Sequence, residues 1–339
     1  MLGGVLDFVR LLLVTCVVYG LTRLFAHPRN PWRILDVPNE RSLHAVPVPR
    51  TGGLAILAGL LLAIALFAPR LNPHDAGLIS ALAGIAVVSW RDDRASLSPV
   101  IRLAAQIIAA ATAVIWGGAR WAGPVLPGVA LALPPAAREA LSVLYLVWCM
   151  NLYNFMDGLD GLAGGMAVIG FGALALLGAC AGMPAFAIAG AAISMAALGF
   201  TISNYPPARL FMGDAGSVPL GFLAGVMTLG ATHGIAPLWV GILIFSPFFS
   251  DASVTLVRRL WRGENPAQAH RQHYYQRLAV SGLSRVRVVW YEYALMVSSA
   301  LSAWWAVGGS LLAQWSIIAA WVGIYAALAA LIDRRQGCG

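Results

Sequence analysis

About eleven apolar runs of roughly 17 to 23 residues account for most of the chain, and that is the length a hydrocarbon core demands of a helix. Lipid offers no hydrogen-bond partners to the backbone, so segments of this kind resolve as helices that satisfy their own N–H and C=O groups. The runs fall near residues 3–26, 51–68, 75–90, 100–118, 139–156, 161–181, 184–203, 215–231, 236–257, 286–307 and 311–332. Composition agrees: the 339 residues are 60% hydrophobic and 11% charged, whereas soluble domains are about one-quarter charged. The expected fold is an all-α polytopic membrane protein of about 10–11 transmembrane helices. It forms one integral-membrane domain over residues 1–339. The first run carries Asp7 and Arg10 and lacks both a basic start and a small-residue cleavage site, so it reads as a retained span rather than a signal peptide.

Orientation follows from arginine, the only basic residue besides histidine in the chain. Connections after the odd-numbered runs hold Arg29, Arg33, Arg41 and Arg50, then Arg91, Arg94 and Arg102, then Arg209. They continue with Arg258, Arg259, Arg262, Arg271, Arg277, Arg285 and Arg287, and the tail adds Arg334 and Arg335. The opposite face holds Arg70, Arg120 and Arg138. The positive-inside rule makes the first face cytoplasmic, with the N-terminus outside and the C-terminus inside. The net charge of +8 does not point to nucleic acid, because the arginines stand beside apolar runs with no basic stripe of interleaved aromatics. Anionic membrane lipids and anionic substrates are the expected partners. Cys16, Cys149, Cys180 and Cys338 show no metal or redox spacing.

The aspartates stand at the ends of these runs, where a charge is costly without a task. Asp157 and Asp160 lie in NLYNFMDGLDGLAGG over residues 151–165, Asp92 and Asp93 follow the run ending at Trp90, and Asp214 lies in FMGD. All fall on the face read as cytoplasmic. Aspartates with no nearby cysteine offer hard oxygen ligands, which suit magnesium, or manganese as the alternative. Arginines on the same face supply forked donors for phosphate oxygens. Arg50 and Thr51 begin a span, where free backbone N–H groups favour anions. Phosphoryl transfer runs on this combination of positioning and charge neutralisation. A soluble diphosphate donor reaches the site from the cytoplasm, and a membrane scaffold implies a lipid phosphate as acceptor.

Five motifs in order carry a resemblance. They are DVPNERSLHAVPVPRTGG, the Asp92 and Asp93 pair, NFMDGLDG, FMGDAGS and HRQHYYQRL, spread over residues 36–278. The chain resembles the polyprenyl-phosphate N-acetylhexosamine-1-phosphate transferases, the family of the phospho-N-acetylmuramoyl-pentapeptide transferase and of the enzymes that start O-antigen and related glycans. The resemblance implies transfer of a sugar-1-phosphate from a UDP-N-acetylhexosamine to undecaprenyl phosphate in the bacterial cytoplasmic membrane, with magnesium required and UMP released. It makes Asp214 the magnesium ligand and Asp92 and Asp93 the catalytic acidic pair, with Asp92 either deprotonating the lipid phosphate or holding it in line. Asn154, Asp157 and Asp160 match the nucleotide side, with Phe211 placed to stack on the base, and Arg271 and His273 would face the diphosphate. Where the peptidoglycan enzymes carry a run of histidines, this chain reads HRQHYYQ, which places it with the glycan-initiating branch and leaves the role of His270 open.

Other readings of the same residues are bland. The acidic pair, flanked by Arg91 and Arg94, would also suit a solvated loop, and Asp157 and Asp160 would serve as caps of the next helix. His270 and His273 at i, i+3 lack a third ligand for zinc, and His44 reads as a loop histidine. Asp251 stands seven residues before Arg258 on one helical face, so a structural pair competes with a role at the lipid phosphate. Trp304, Trp305, Trp315 and Trp321 suit interfacial anchors or the contact of a homodimer. A secondary transporter would place its polar groups near mid-span, and an assembly protein would not gather five aspartates. N-acetylglucosamine, its 6-deoxy relatives and N-acetylgalactosamine fit the sequence equally.

Overall fold

A computed structural model describes residues 2–31, 33–38, 46–68, 71–265, 268 and 270–337. Arg41, His44, Arg70 and Cys338 lie outside the described residues. The described residues form thirteen helices: α1 (Leu2–Ala26), α2 (Gly52–Phe67), α3 (Pro73–Ala95), α4 (Pro99–Ile115), α5 (Pro135–Phe155), α6 (Leu162–Cys180), α7 (Pro184–Asn204), α8 (Asp214–Ala231), α9 (Leu238–Ile244), α10 (Ser246–Trp261), α11 (Tyr274–Val280), α12 (Arg285–Val307) and α13 (Leu311–Gly337). Every expected run is helical. Five of them, α1, α6, α7, α8 and α13, are long and apolar enough to cross a membrane by themselves, and α9 with α10 makes a sixth as one bent span. The strict count is below the expected eleven because α2 and α4 are short and α3, α5 and α12 carry polar residues toward their ends. The only sheet among the described residues is a two-residue antiparallel ladder, β1 (Leu35–Asp36) with β2 (Val48–Pro49).

Helix α8 is the axis of the bundle, packed by α5 and α3, while α6 and α7 pair beside it and α1 covers α7. Tyr153, Phe171, Phe200, Phe245 and Phe248 are fully buried at the centre. Phe171 meets Phe245 edge-on with centroids 5.6 Å apart, and Tyr153 meets Phe248 at 5.1 Å. Between helices in lipid the gain comes from such close packing rather than from exclusion of water.

Two departures from the sequence reading shape the site. The run 236–257 is not one straight span: it breaks at Phe245, and α9 and α10 meet at 87°. Pro247 explains the break, because it has no N–H to continue the ladder of α9, which restarts with Phe248 and Phe249 donating to the Phe245 carbonyl. The second departure is at α3, which continues through Asp92 and Asp93 rather than ending before them.

Candidate active site

Carboxylates in the last turn of α3 face the negative end of that helix's own dipole, an unfavourable position unless other elements compensate. Helix α8 does so for Asp93. Its two carboxylate oxygens accept the backbone N–H groups of Asp214 at 3.0 Å and Ala215 at 2.9 Å, at the positive end of α8. Gly213 makes this approach feasible: it holds φ +72°, and a Cβ there would lie 2.8 Å from the Asp93 carboxylate. Arg50 closes the other side, donating from Nη2 to the Asp93 carbonyl, with Nε 4.0 Å from Asp93 Oδ1. Asp92 accepts from the Leu97 N–H and from Arg102 Nη1, the latter at 3.3 Å.

Asp214, the first residue of α8, is the point where these elements meet. Its Oδ1 accepts from Asn154 Nδ2 at 2.9 Å, and the same amide donates to Ser217 at 3.0 Å. Its Oδ2 lies 3.9 Å from Arg102 Nη1, so one guanidinium spans Asp92 and Asp214. Arg102 was legible in the sequence only as one more arginine on this face. The Asp214 side chain is 31% exposed, in contrast to Asp93 at 3%, which leaves one of the two facing solvent and the other enclosed.

Asp157 lies in the turn between α5 and α6. Burial, and then the carboxylates of Asp214, Asp93 and Asp160, push it well above the usual carboxylate range. Such crowding of negative charge is relieved by a cation. The donors are hard oxygens, and among the described residues no three His, Cys, Asp or Glu side chains converge into a ready-made metal cage. The partly exposed Asp214 carboxylate would suit a magnesium ion completed by water and phosphate oxygens, the way that ion usually binds.

Neither Asp157 nor Asp160 caps α6, whose N-cap is Gly161 without a side-chain bond. Asp160 Oδ2 instead accepts the Ala208 N–H at 3.0 Å, which fastens the loop that leads to Phe211. Asn204 braces that loop from α7, accepting from Gly161 and donating to the Leu210 carbonyl. Phe211 is half-buried and its backbone is stitched to the chain before α2. Its N–H donates to the Pro49 carbonyl at 2.7 Å and its carbonyl accepts from Gly52 at 2.9 Å. The Gly53 N–H likewise bonds to Met212. Contrary to the expectation at Arg50 and Thr51, the first amides of α2 are therefore occupied by backbone rather than free for an anion. Thr51 is 2% exposed, and its hydroxyl has no partner among the described residues.

A second polar group sits on α10 and α11. Asp251 accepts His273 Nδ1 at 3.1 Å, the backbone N–H groups of Tyr274 and Tyr275 at 3.0 Å each, and the Thr255 hydroxyl at 3.1 Å. It is the N-terminal anchor of α11 and does not pair with Arg258, which goes to Asp333 instead. His273 is 4% exposed and its ring lies 6.0 Å from that of Phe155, the residue after Asn154. The Tyr275 hydroxyl donates to the Phe155 carbonyl at 3.1 Å, which ties α11 to the end of α5. His270 stacks at a tilt 4.9 Å from His273. Burial, then His273 and Arg259 beside it, push the His270 imidazole down to about 4, so it is neutral at pH 7. Arg271 lies half-buried between the two histidines in sequence.

Comparison with known proteins finds relatives over most of the chain. Residues 76–232, from α3 through α8, match glycosyl transferase family 4. The chain is 30% identical to a decaprenyl-phosphate N-acetylglucosaminephosphotransferase of Mycobacterium leprae over 306 residues, 80% of this chain and 77% of the relative. It is 27% identical over 260 residues to a probable undecaprenyl-phosphate N-acetylglucosaminyl 1-phosphate transferase of Bacillus subtilis, covering 74% of this chain and 71% of the other. It is 29% identical over 263 residues to an undecaprenyl-phosphate alpha-N-acetylglucosaminyl 1-phosphate transferase of Escherichia coli O157:H7, covering 74% and 70%. Multi-pass helices, an acidic cluster around the head of α8 and relatives aligned over most of both chains lead to one assignment: this chain belongs to the polyprenyl-phosphate N-acetylhexosamine-1-phosphate transferase family.

Proposed function

We propose that the chain transfers N-acetylhexosamine-1-phosphate from a UDP-sugar to undecaprenyl phosphate at the cytoplasmic face of the bacterial inner membrane, in the glycan-initiating branch of the family. The observation that carries this reading is the head of α8, where Asp214 stands between Asn154 on one oxygen and the Asp92-bound Arg102 on the other. An oxygen of the lipid phosphate attacks the sugar-linked phosphorus of the donor, its bond to the UMP oxygen breaks, and UMP leaves with the electron pair. Asp214 would hold a magnesium ion, whose charge would offset that of the diphosphate and of the leaving UMP.

The residues of the chain supply the rest. Arg102 gathers the acceptor phosphate: its side chain is 39% exposed, and Asp92 fixes the guanidinium beside Asp214. The second proton of a phosphate leaves near pH 6 to 7, so most of the acceptor is deprotonated without a base, and Asp92 acts as the orienting group. Arg271 and His273 serve the diphosphate, with Asp251 fixing the imidazole through Nδ1. Phe211 stacks on the uracil, on a loop secured by Asp160. An open apolar groove of about 440 Å³ along α5, lined by Leu141, Leu144, Tyr145, Val147 and Trp148, suits the polyprenyl tail. The rings of Trp148 and Phe155, 6.4 Å apart, continue it toward the site.

The test is purified protein with undecaprenyl phosphate, magnesium and a panel of radiolabelled UDP-N-acetylhexosamines, beginning with UDP-N-acetylglucosamine. Lipid-linked label with stoichiometric UMP is expected, abolished by EDTA and restored by magnesium. No lipid-linked label with any donor sinks the reading. For Phe211→Ala, loss of stacking is expected to weaken donor binding about tenfold, from the 1–3 kcal/mol of a base on an aromatic ring. Unchanged affinity by calorimetry would return Phe211 to a packing role.

A further inference from the structure

We propose that Asp333, near the end of α13, is a positioning residue that locks the His273 segment in place. Its carboxylate takes Arg258 of α10 on Oδ2 at 2.8 Å and Arg277 of α11 on Oδ1 at 2.7 Å. Both guanidinium groups also lie over the ring of Tyr274, at 5.3 and 5.1 Å from its centroid. Three helices thus close around one tyrosine through a single acid. Isolated exposed ion pairs do little, but a carboxylate shared by two arginines that also lie over one ring is a network with fixed geometry.

The link to the site is short. Tyr274 follows His273, and its N–H shares Asp251 Oδ1 with the His273 ring. Helix α11 has seven residues, too few to hold together without anchors. Asp251 fixes its first turn, and Asp333 fixes Arg277 in its last. Helix α13 is otherwise loosely held: only 6% of its apolar window is buried. Its other polar tie to α10 is the Tyr325 hydroxyl on Ser246 at 2.6 Å. The last helix therefore works as a strut whose inner end reports on α11. This assignment rests on the reading that His273 serves the donor diphosphate.

The test uses the full chain in nanodiscs with Asp333→Ala, Asp333→Asn and Asp333→Glu. Diethylpyrocarbonate labelling of His273, read by mass spectrometry against exposed His74 of α3 as internal reference, reports the latch without any turnover. Labelling of His273 is expected to accelerate at least several-fold in Asp333→Ala, less in Asp333→Asn, and to return toward the parent rate in Asp333→Glu. In parallel, kcat/KM for the UDP-sugar is expected to fall about tenfold in Asp333→Ala, as for loosely held catalytic groups, with the same partial rescue. Unchanged His273 labelling in Asp333→Ala overturns the proposal. An inactive parent protein would refute the transferase reading alone, because labelling still decides the latch.

Discussion

Asp214→Asn is expected to lower turnover to about one-thousandth of the parent rate while leaving the bundle folded. The loss follows from charge. At an effective dielectric constant near 20, a carboxylate and a unit positive charge about 4 Å apart attract by about 4 kcal/mol, close to a thousandfold in rate. The variant is isosteric and retains a carbonyl oxygen for the Asn154 amide, so the local hydrogen bond survives. The oxygen facing Arg102 is replaced by an amide donor or loses its charge, and a divalent ion would lose the partly exposed Asp214 carboxylate. The measurement is UMP release and lipid-linked label at saturating magnesium, beside a thermal melt in detergent. Parent-like turnover in this variant would remove Asp214 from the metal and phosphate chemistry.

Much of this site was legible in the chain because its aspartates stand where helices end. The apolar runs located those ends, and the motifs identified Asp92, Asp93, Asn154, Asp157, Asp160 and Asp214 as one group. What the spacing did not contain was partnership. Asp93 bonds to backbone about 120 residues away, in α8, and nothing local distinguishes it from Asp92. Asp251 and Arg258 share a helical face seven residues apart, yet each finds its partner elsewhere, on His273 and on Asp333. Arg102 read as a topological marker because its role depends on the folded chain bringing its guanidinium to Asp92 of α3 and Asp214 at the head of α8. The break at Phe245 was signalled by Pro247, but hydropathy averages over such a residue and so joined two helices meeting at 87° into one span. The expectation of free amides at the start of α2 failed for a related reason: the backbone of residues 211–212 reaches them first, a pairing that exists only after folding.

The two members of the acidic pair should separate experimentally. Asp93→Ala is expected to cost about 2–5 kcal/mol of stability and about a hundredfold in turnover. The first figure combines the lost N-terminal cap of α8, about 1–2 kcal/mol, with the cost of leaving a buried N–H unpaired, about 1–3 kcal/mol. Ala215 is 1% exposed, so water does not replace the lost acceptor there. The second figure follows because Asp214 is the first residue of the uncapped helix, and a displacement of about 1 Å at a catalytic group costs about a hundredfold. Asp93→Asn keeps one oxygen acceptor but turns an N–H₂ toward the second backbone N–H, so an intermediate result is expected in both measurements. Asp92→Asn contrasts with these. Its oxygens bond to the Leu97 amide and to Arg102 and make no bond to the backbone of α8, so the expected effect is a higher KM for the lipid acceptor, with a melting midpoint near the parent's. An Asp93→Ala protein that melts with the parent would show that the α8 cap is not what this aspartate is for, and would move Asp93 beside Asp92 among the groups that meet substrate.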